Sequence, residues 1–229
     1  MGVGYDFSPV GEDCDTHLVF SRNRHAIGFH DRWPKPSFMF LYANYMRILN
    51  HLYQRSLAHV IRFSAWPQHF PESVAEHSFF TAYFVSVLLY LLRKEHIEID
   101  GEKALQMALI HDMEEVFSGD ILGPFKHYSA ELNEAIRRVN EETIKQVFRD
   151  LPEQLQSKYI ALWQEEGQGN SIEAQVVKLA DKLSLLSKCA EEIKAGNQYI
   201  EQIYEENYRN LQEFKAPWWD AIRSQIMDN

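Results

Sequence analysis

The chain has 229 residues, 45% of them hydrophobic and 13% aromatic, which is enough apolar mass for one sizeable buried core. A formal net charge of -10, from 33 acidic against 23 basic side chains, argues against a polyanion-binding surface and so against nucleic acid polymers as ligands. Cys14 and Cys189 are too few and too distant for a disulfide framework or a CxxC metal site, and read as reduced thiols of a cytoplasmic protein. No stretch approaches the roughly 20 consecutive apolar residues of a membrane span, and no basic-then-apolar leader opens the chain, so neither insertion nor export is expected.

Residues 1–38 mix Gly, Pro, Asp, His and Arg without a sustained period and read as an irregular N-terminal extension. Its His17, His25 and His30 lack metal-site spacing. From Phe38 onward apolar residues recur at three- and four-residue intervals, which predicts an all-α domain over 39–229. A first helix is predicted from Phe38 into the middle fifties, followed by an irregular segment around Trp66, Pro67 and Pro71. The next helix should start near Ser73 and carry Val74, His77, Phe80, Thr81 and Phe84 down one inward side. Asp100 is a plausible N-cap for a helix through Leu105, Leu109 and Ile110, ending near Ser118 and Gly119. Further helices are predicted over about 130–148, 153–163, 172–195 and 198–214, punctuated by Gly167, Gly169 and Gly196.

Three islands carry ligand-type side chains among apolar neighbours: Glu76-His77-Ser78, Ile110-His111-Asp112 and Leu179-Ala180-Asp181-Lys182. Val177 and Leu185 flank Asp181 at four-residue spacing, so its carboxylate projects from an apolar stripe. Unpaired there it would cost several kcal/mol, and a cation or an Arg is the usual remedy. His77 points inward by the same test, with Val74 and Phe80 three residues away. His111 and Asp112 diverge by about 100° on a continuous helix, so both can face one point only at a helix rim. Imidazole and carboxylate donors together suit a first-row divalent cation better than calcium, and sites that keep open positions for water are catalytic. Each island alone is more often a satisfied core or surface group; their joint occurrence is what points to a metal.

His77, His111-Asp112 after 34 residues, and Asp181 after 69 more form a pattern that resembles the HD-domain metal-dependent phosphohydrolase superfamily. Within it, the chain looks similar to the bacterial 5′-deoxynucleotidases. That narrower likeness lies in Ser73-Val74-Ala75-Glu76-His77-Ser78, in the run from His111 to Asp120, in Ala180-Asp181-Lys182-Leu183, and in Lys188-Cys189-Ala190-Glu191-Glu192 with Ala195-Gly196-Asn197. It covers about residues 45–210 and implies an HD-type helical bundle.

The resemblance implies that His77, His111, Asp112 and Asp181 hold one divalent cation (Co, Mn, Ni, Zn or Mg). It implies that Glu115 handles the catalytic water or the leaving-group proton, that Arg62 grips the substrate phosphate, and that Asp120 helps position the nucleotide. Glu115 follows His111 by four residues, one turn along the same face if the helix continues. The family has tryptophan after the arginine, where it helps reject a 2′-hydroxyl, and this chain has Phe63. Trp66 can restore that surface or serve as packing. Lys126 and His127 follow the site loop, where solvent exposure is the plainer expectation.

The implied reaction is hydrolysis of a nucleoside 5′-monophosphate, a deoxynucleotide by resemblance, to nucleoside and phosphate. The alternatives are a deoxynucleoside triphosphate hydrolase of the same superfamily, or a non-catalytic helical module that binds a nucleotide or a partner. A homodimer is implied by the likeness alone.

Overall fold

A computed structural model describes residues 53–227. The expected extension over 1–38 and most of the first predicted helix lie outside the described residues. The described elements are α1 (Tyr53–Ser56), α2 (Val74–Lys94), α3 (Gly101–Ile110), α4 (Glu115–Ser118), α5 (Gly123–Lys126), α6 (Ala130–Phe148), α7 (Glu153–Gln168), α8 (Ile172–Lys194), α9 (Glu201–Glu213) and α10 (Pro217–Ile222), with short 3₁₀ turns at Leu57–His59, Gln198–Ile200 and Arg223–Gln225. Among the described residues the only β-type pairing is a bridge between Ile61 and Ser73, so the fold is all-α.

The centre is a three-helix packing of α2, α3 and α8, with α7 and α9 laid against α8. Local chemistry sets their starts. Ser73 caps α2 through a reciprocal capping box: its side chain accepts from the Glu76 N–H, and the Glu76 carboxylate accepts from the Ser73 N–H. Asp100, Ser129 and Ser171 cap α3, α6 and α8 from one side, each side chain accepting from the backbone N–H three residues on, each cap worth about 1 kcal/mol. Gly169, at φ 68°, closes α7 in the left-handed conformation that a side chain would strain.

The apolar core gathers Leu88, Leu92, Met107, Ile144, Phe148, Leu179 and Trp219, all fully buried. At about 1.5–3 kcal/mol for each large side chain removed from water, this packing, rather than helix propensity, holds the bundle.

Four expectations change. The inward stripe of α2 is Val74, His77, Ser78, Thr81, Val85, Leu88, Leu89 and Leu92; Phe80 is exposed, because Ser78 and Thr81 occupy the buried face instead. The helix beginning at Gly101 stops at Ile110 rather than near Ser118: His111 to Glu114 form a tight turn with i→i+3 bonds from Met113 to Ile110 and from Glu115 to Asp112 before α4 begins. A tenth helix, Pro217–Ile222, was not expected; it is six residues long, and its Trp218 and Trp219 plug the core. Finally, α2, 21 residues long with an 18-residue stretch of mean hydropathy 1.4, is long and apolar enough by length and composition to cross a membrane, contrary to the reading of the sequence. Its buried face packs on α3 and α8 and carries His77.

Candidate metal centre

His77 sits one turn into α2, His111 and Asp112 stand on the turn between α3 and α4, and Asp181 lies midway along α8. Breaking the helix at His111 puts this adjacent pair on a rim, where both side chains face one point. His77 Nε2 is 3.0 Å from Asp181 Oδ1 and 3.6 Å from Asp112 Oδ2, and His111 Nε2 is 3.1 Å from Asp112 Oδ2. The imidazoles are tilted at 59° with centroids 5.3 Å apart. Ligand atoms of His77, His111 and Asp181 all lie within 4.8 Å of one another. Asp181 is half-exposed rather than deeply buried, because it opens into a cleft of about 750 Å³ that His111, Asp112 and Glu166 also line.

The donor set fits a divalent cation. His111 Nδ1 contacts the Ala108 carbonyl at 2.8 Å, which requires a proton on Nδ1 and turns the lone pair of Nε2 towards the carboxylates. That Nε2 is buried and faces Asp112 Oδ2 at 3.1 Å, an ion pair while the ring is protonated. Burial alone would lower the His111 pKa, but Asp112 and then Asp181 override it and push it up to about 10. A cation would take the place of that proton. Burial also pushes Asp112 upward, yet His111, His77 and Arg62 win and hold it well below the usual carboxylate range.

His77 Nδ1 faces two groups, Arg62 Nη1 at 2.8 Å and Ser184 Oγ at 3.0 Å. Arg62 only donates, so that contact needs the tautomer protonated on Nε2. Metal ligation through Nε2 needs the other tautomer, in which Nδ1 donates to Ser184 and repels Arg62. Were His77 to ligate a cation through Nε2, the Arg62 guanidinium would lose this acceptor and be available to an anion.

Arg62 is otherwise bonded to Glu72 Oε2 at 3.1 Å and lies over the Phe63 ring at 5.1 Å. Burial lowers its pKa, but Asp181, Asp112, Glu72 and Asp120 raise it further. Phe63 adopts φ 52°, in the left-handed region, and its N–H donates to Asp120 Oδ2 at 2.7 Å. Asp120 thus acts on the backbone that presents Phe63. Trp66 is exposed beyond this turn, His127 is exposed beside Asn133, and Lys126 lines the cleft.

Glu115 stands at the start of α4 and not one α-turn beyond His111, since the intervening residues leave the helix. Its Oε2 is buried without a hydrogen-bond partner among the described residues, and burial, reinforced by Asp112, pushes its pKa up to about 10. Two acidic residues that the sequence did not single out join it. Glu114 accepts from Trp163 Nε1–H at 2.7 Å and is raised by burial and by Asp112 to about 7. Glu166, on α7, is raised by burial and by the carboxylates of Asp181 and Asp112. Their signal is faint, because their partners lie far away in sequence.

An all-α bundle with two histidines and two aspartates converging from three of its segments is the arrangement of an HD-type phosphohydrolase fold. An HD-domain phosphohydrolase from Listeria innocua superposes with a TM-score of 0.64 at 25% identity, covering 78% of this chain and 86% of its own. The cyanophage S-2L HD phosphohydrolase, described as bound to dA and one catalytic Zn²⁺ ion, shares the fold at 17% identity and a TM-score of 0.53, covering 76% of this chain and 91% of its own.

The chain belongs to the YfbR-like 5′-deoxynucleotidase family, whose sequence profile matches residues 49–229. A 5′-deoxynucleotidase from Erwinia tasmaniensis is 34% identical over 128 residues, an alignment that spans 55% of this chain and 64% of the relative.

Proposed function

We propose that this protein is a metal-dependent phosphohydrolase that cleaves nucleoside 5′-monophosphates, deoxynucleotides by family, to nucleoside and phosphate. The close approach of His77, His111 and Asp181, whose ligand atoms lie within 4.8 Å of one another, with Asp112 Oδ2 3.1 Å from His111 Nε2, carries the reading. These four residues would hold one divalent cation, and the zinc named for the cyanophage protein supports a first-row metal, from a set of Co, Mn, Ni, Zn or Mg. When bound, the cation supplies the positive charge that acidifies a water near neutral pH and polarises a phosphoryl oxygen.

Arg62, released from His77 Nδ1, grips the phosphate with its planar fork. Glu115, held near the site with an unpartnered oxygen, takes a proton from the attacking water or gives one to the leaving 5′-oxygen. Asp112 is both ligand and neighbour of that proton path. Phe63 and Asp120 form one unit, the carboxylate fixing the backbone that offers the ring to the sugar, so a phenylalanine in place of the family's tryptophan relaxes rejection of a 2′-hydroxyl. Two of the cations around the cleft are already committed, Arg137 to Glu134 and Glu141, and Lys178 to the Gly167 carbonyl. This supports a monophosphate over a longer phosphate tail.

A cytoplasmic homodimer is the companion reading, with a single helical domain over 39–229 behind an extension over 1–38. Its structural support is the exposed stripe Phe79, Tyr83, Val87 and Tyr90 on α2, a face suited to a second copy.

Phosphate release from a panel of ribo- and deoxynucleoside mono- and triphosphates, with each metal added to chelator-stripped protein, tests the function. Release from monophosphates only in the presence of metal supports it; release of tripolyphosphate, or activity unchanged in Asp112→Ala, overturns it. Light scattering of the purified protein tests the dimer.

A further inference from the structure

One face of α8 carries Asp181, Ser184, Lys188 and Glu192, at i, i+3, i+7 and i+11, which stacks them in a single line. The first two serve the metal centre. The last two, with Asn197 just beyond the helix, address a different target: the backbone of residues 67–70. Glu192 is 1% exposed, and its two oxygens accept the N–H groups of His69 at 2.9 Å and Phe70 at 2.8 Å. Asn197 Nδ2 donates to the Pro67 carbonyl at 2.8 Å and to Glu192 Oε2 at 2.8 Å. Lys188 Nζ donates to the Phe70 carbonyl and pairs with Glu192 Oε1 at 3.0 Å. The hydrogen-bond partners in the 67–70 segment are main chain, and Lys188 Nζ also lies over the Phe70 ring, 5.6 Å from its centroid.

From there the restraint passes to Arg62. Gln68 Nε2 donates to the Arg62 carbonyl at 2.8 Å and to the Phe63 carbonyl at 3.2 Å, while the Arg62 N–H is tied to the Glu72 carbonyl at 2.9 Å. The loop is thus pinched at its base, braced across its middle and pinned at its far side.

We propose that Lys188, Glu192 and Asn197 are positioning residues: a buried clamp through which α8, the helix that supplies Asp181, sets the Arg62–Phe63 turn at a fixed distance from the metal centre. The clamp rests on the reading of Arg62 as the phosphate grip. It makes one rigid helix the common reference for the cation and the phosphate, whose separation decides whether attack is in line.

A double-mutant cycle tests this. Glu192→Gln keeps the shape but removes the charge and one acceptor site, and should speed amide exchange at His69 and Phe70. Bound cobalt should stay at the parental stoichiometry, because none of the four ligands is touched. KM for dAMP and Kd for inorganic phosphate on the cobalt-loaded protein should both rise about tenfold, with a smaller change in kcat. In an Arg62→Ala background the same substitution should change them by less than about twofold, because the group it positions is gone. Asn197→Ala, which removes only the Pro67 tie and one brace on Glu192, should follow the same pattern at smaller amplitude and stands in should Glu192→Gln fail to fold.

Unchanged amide exchange overturns the clamp. Effects of Glu192→Gln that persist at full size without Arg62 overturn the link to phosphate, as does phosphate binding that neither variant alters. Protein that binds phosphate yet leaves dAMP intact fails the functional reading while the Kd cycle still decides the clamp.

Discussion

Near the C-terminal end of α8, Glu192 is buried and saturated, its oxygens taken by two backbone amides, an ammonium and a carboxamide, whereas around Asp181, three turns earlier on the same face, buried polar atoms are left incomplete. Glu115 Oε2 has no hydrogen-bond partner among the described residues, and the five acidic side chains of Asp112, Glu114, Glu115, Glu166 and Asp181 crowd two imidazoles and one guanidinium. The pKa shifts divide the same way. Burial would raise Glu192, but Asn197, the His69 and Phe70 amides and Lys188 bring it down to about 2, while burial and its acidic neighbours push Glu115 up to about 10. A buried charge completed by its own chain is scaffold; one left short of partners waits for a ligand from outside.

The contrast can be broken most decisively by removing a ligand. Asp112→Ala or His111→Ala should lower kcat/KM by about three orders of magnitude or more, with loss of the bound cation measured by elemental analysis. Glu115→Gln should lower kcat by about 10²–10⁴-fold while the cation content stays at the parental level, because the proton carrier is lost and the ligands are kept. In stability the order reverses: Glu192→Ala should cost about 3–5 kcal/mol in urea unfolding, since it strands Lys188 and two amides, whereas Glu115→Gln should stabilise the metal-free protein.

A finer test is pH. Glu192 has a depressed folded pKa, so its contribution is present above its ordinary value near 4.5 and is lost as pH falls towards about 2; Glu192→Gln should flatten that acid limb. Glu115 and His111 both have raised folded pKa values of about 10, so the metal-free fold holds their protons more tightly than the unfolded chain does. Their effect is stability that falls as pH rises, from about 4.5 for Glu115 and about 6.5 for His111, up to about 10. A saturating divalent cation should flatten this alkaline limb and leave the acid limb in place, as read by thermal unfolding with and without chelator.

Much of the site was legible because its residues advertise themselves locally. His77 and Asp181 interrupt apolar helical stripes, His111-Asp112 is an adjacent pair of ligand-type residues, and Ser73 marks the start of α2. Arg62 and Asp120 were reached through family likeness. What stayed hidden was hidden by distance: Glu192 finds its partners 122 and 123 residues away, and those partners are backbone atoms with no identity in sequence. Glu114 meets Trp163 across 49 residues. The turn that ends α3 at Ile110 carries no Gly or Pro to announce it, and α10 is too short for any period to show.

The central claim is that His77, His111, Asp112 and Asp181 surround one cation. Anomalous scattering from crystals soaked in manganese, recorded at the manganese edge, tests it directly. One peak within bonding distance of His77 Nε2, His111 Nε2 and both aspartates is the expected map; a manganese-loaded crystal whose peak lies elsewhere, with these four side chains still paired only to each other, would contradict it.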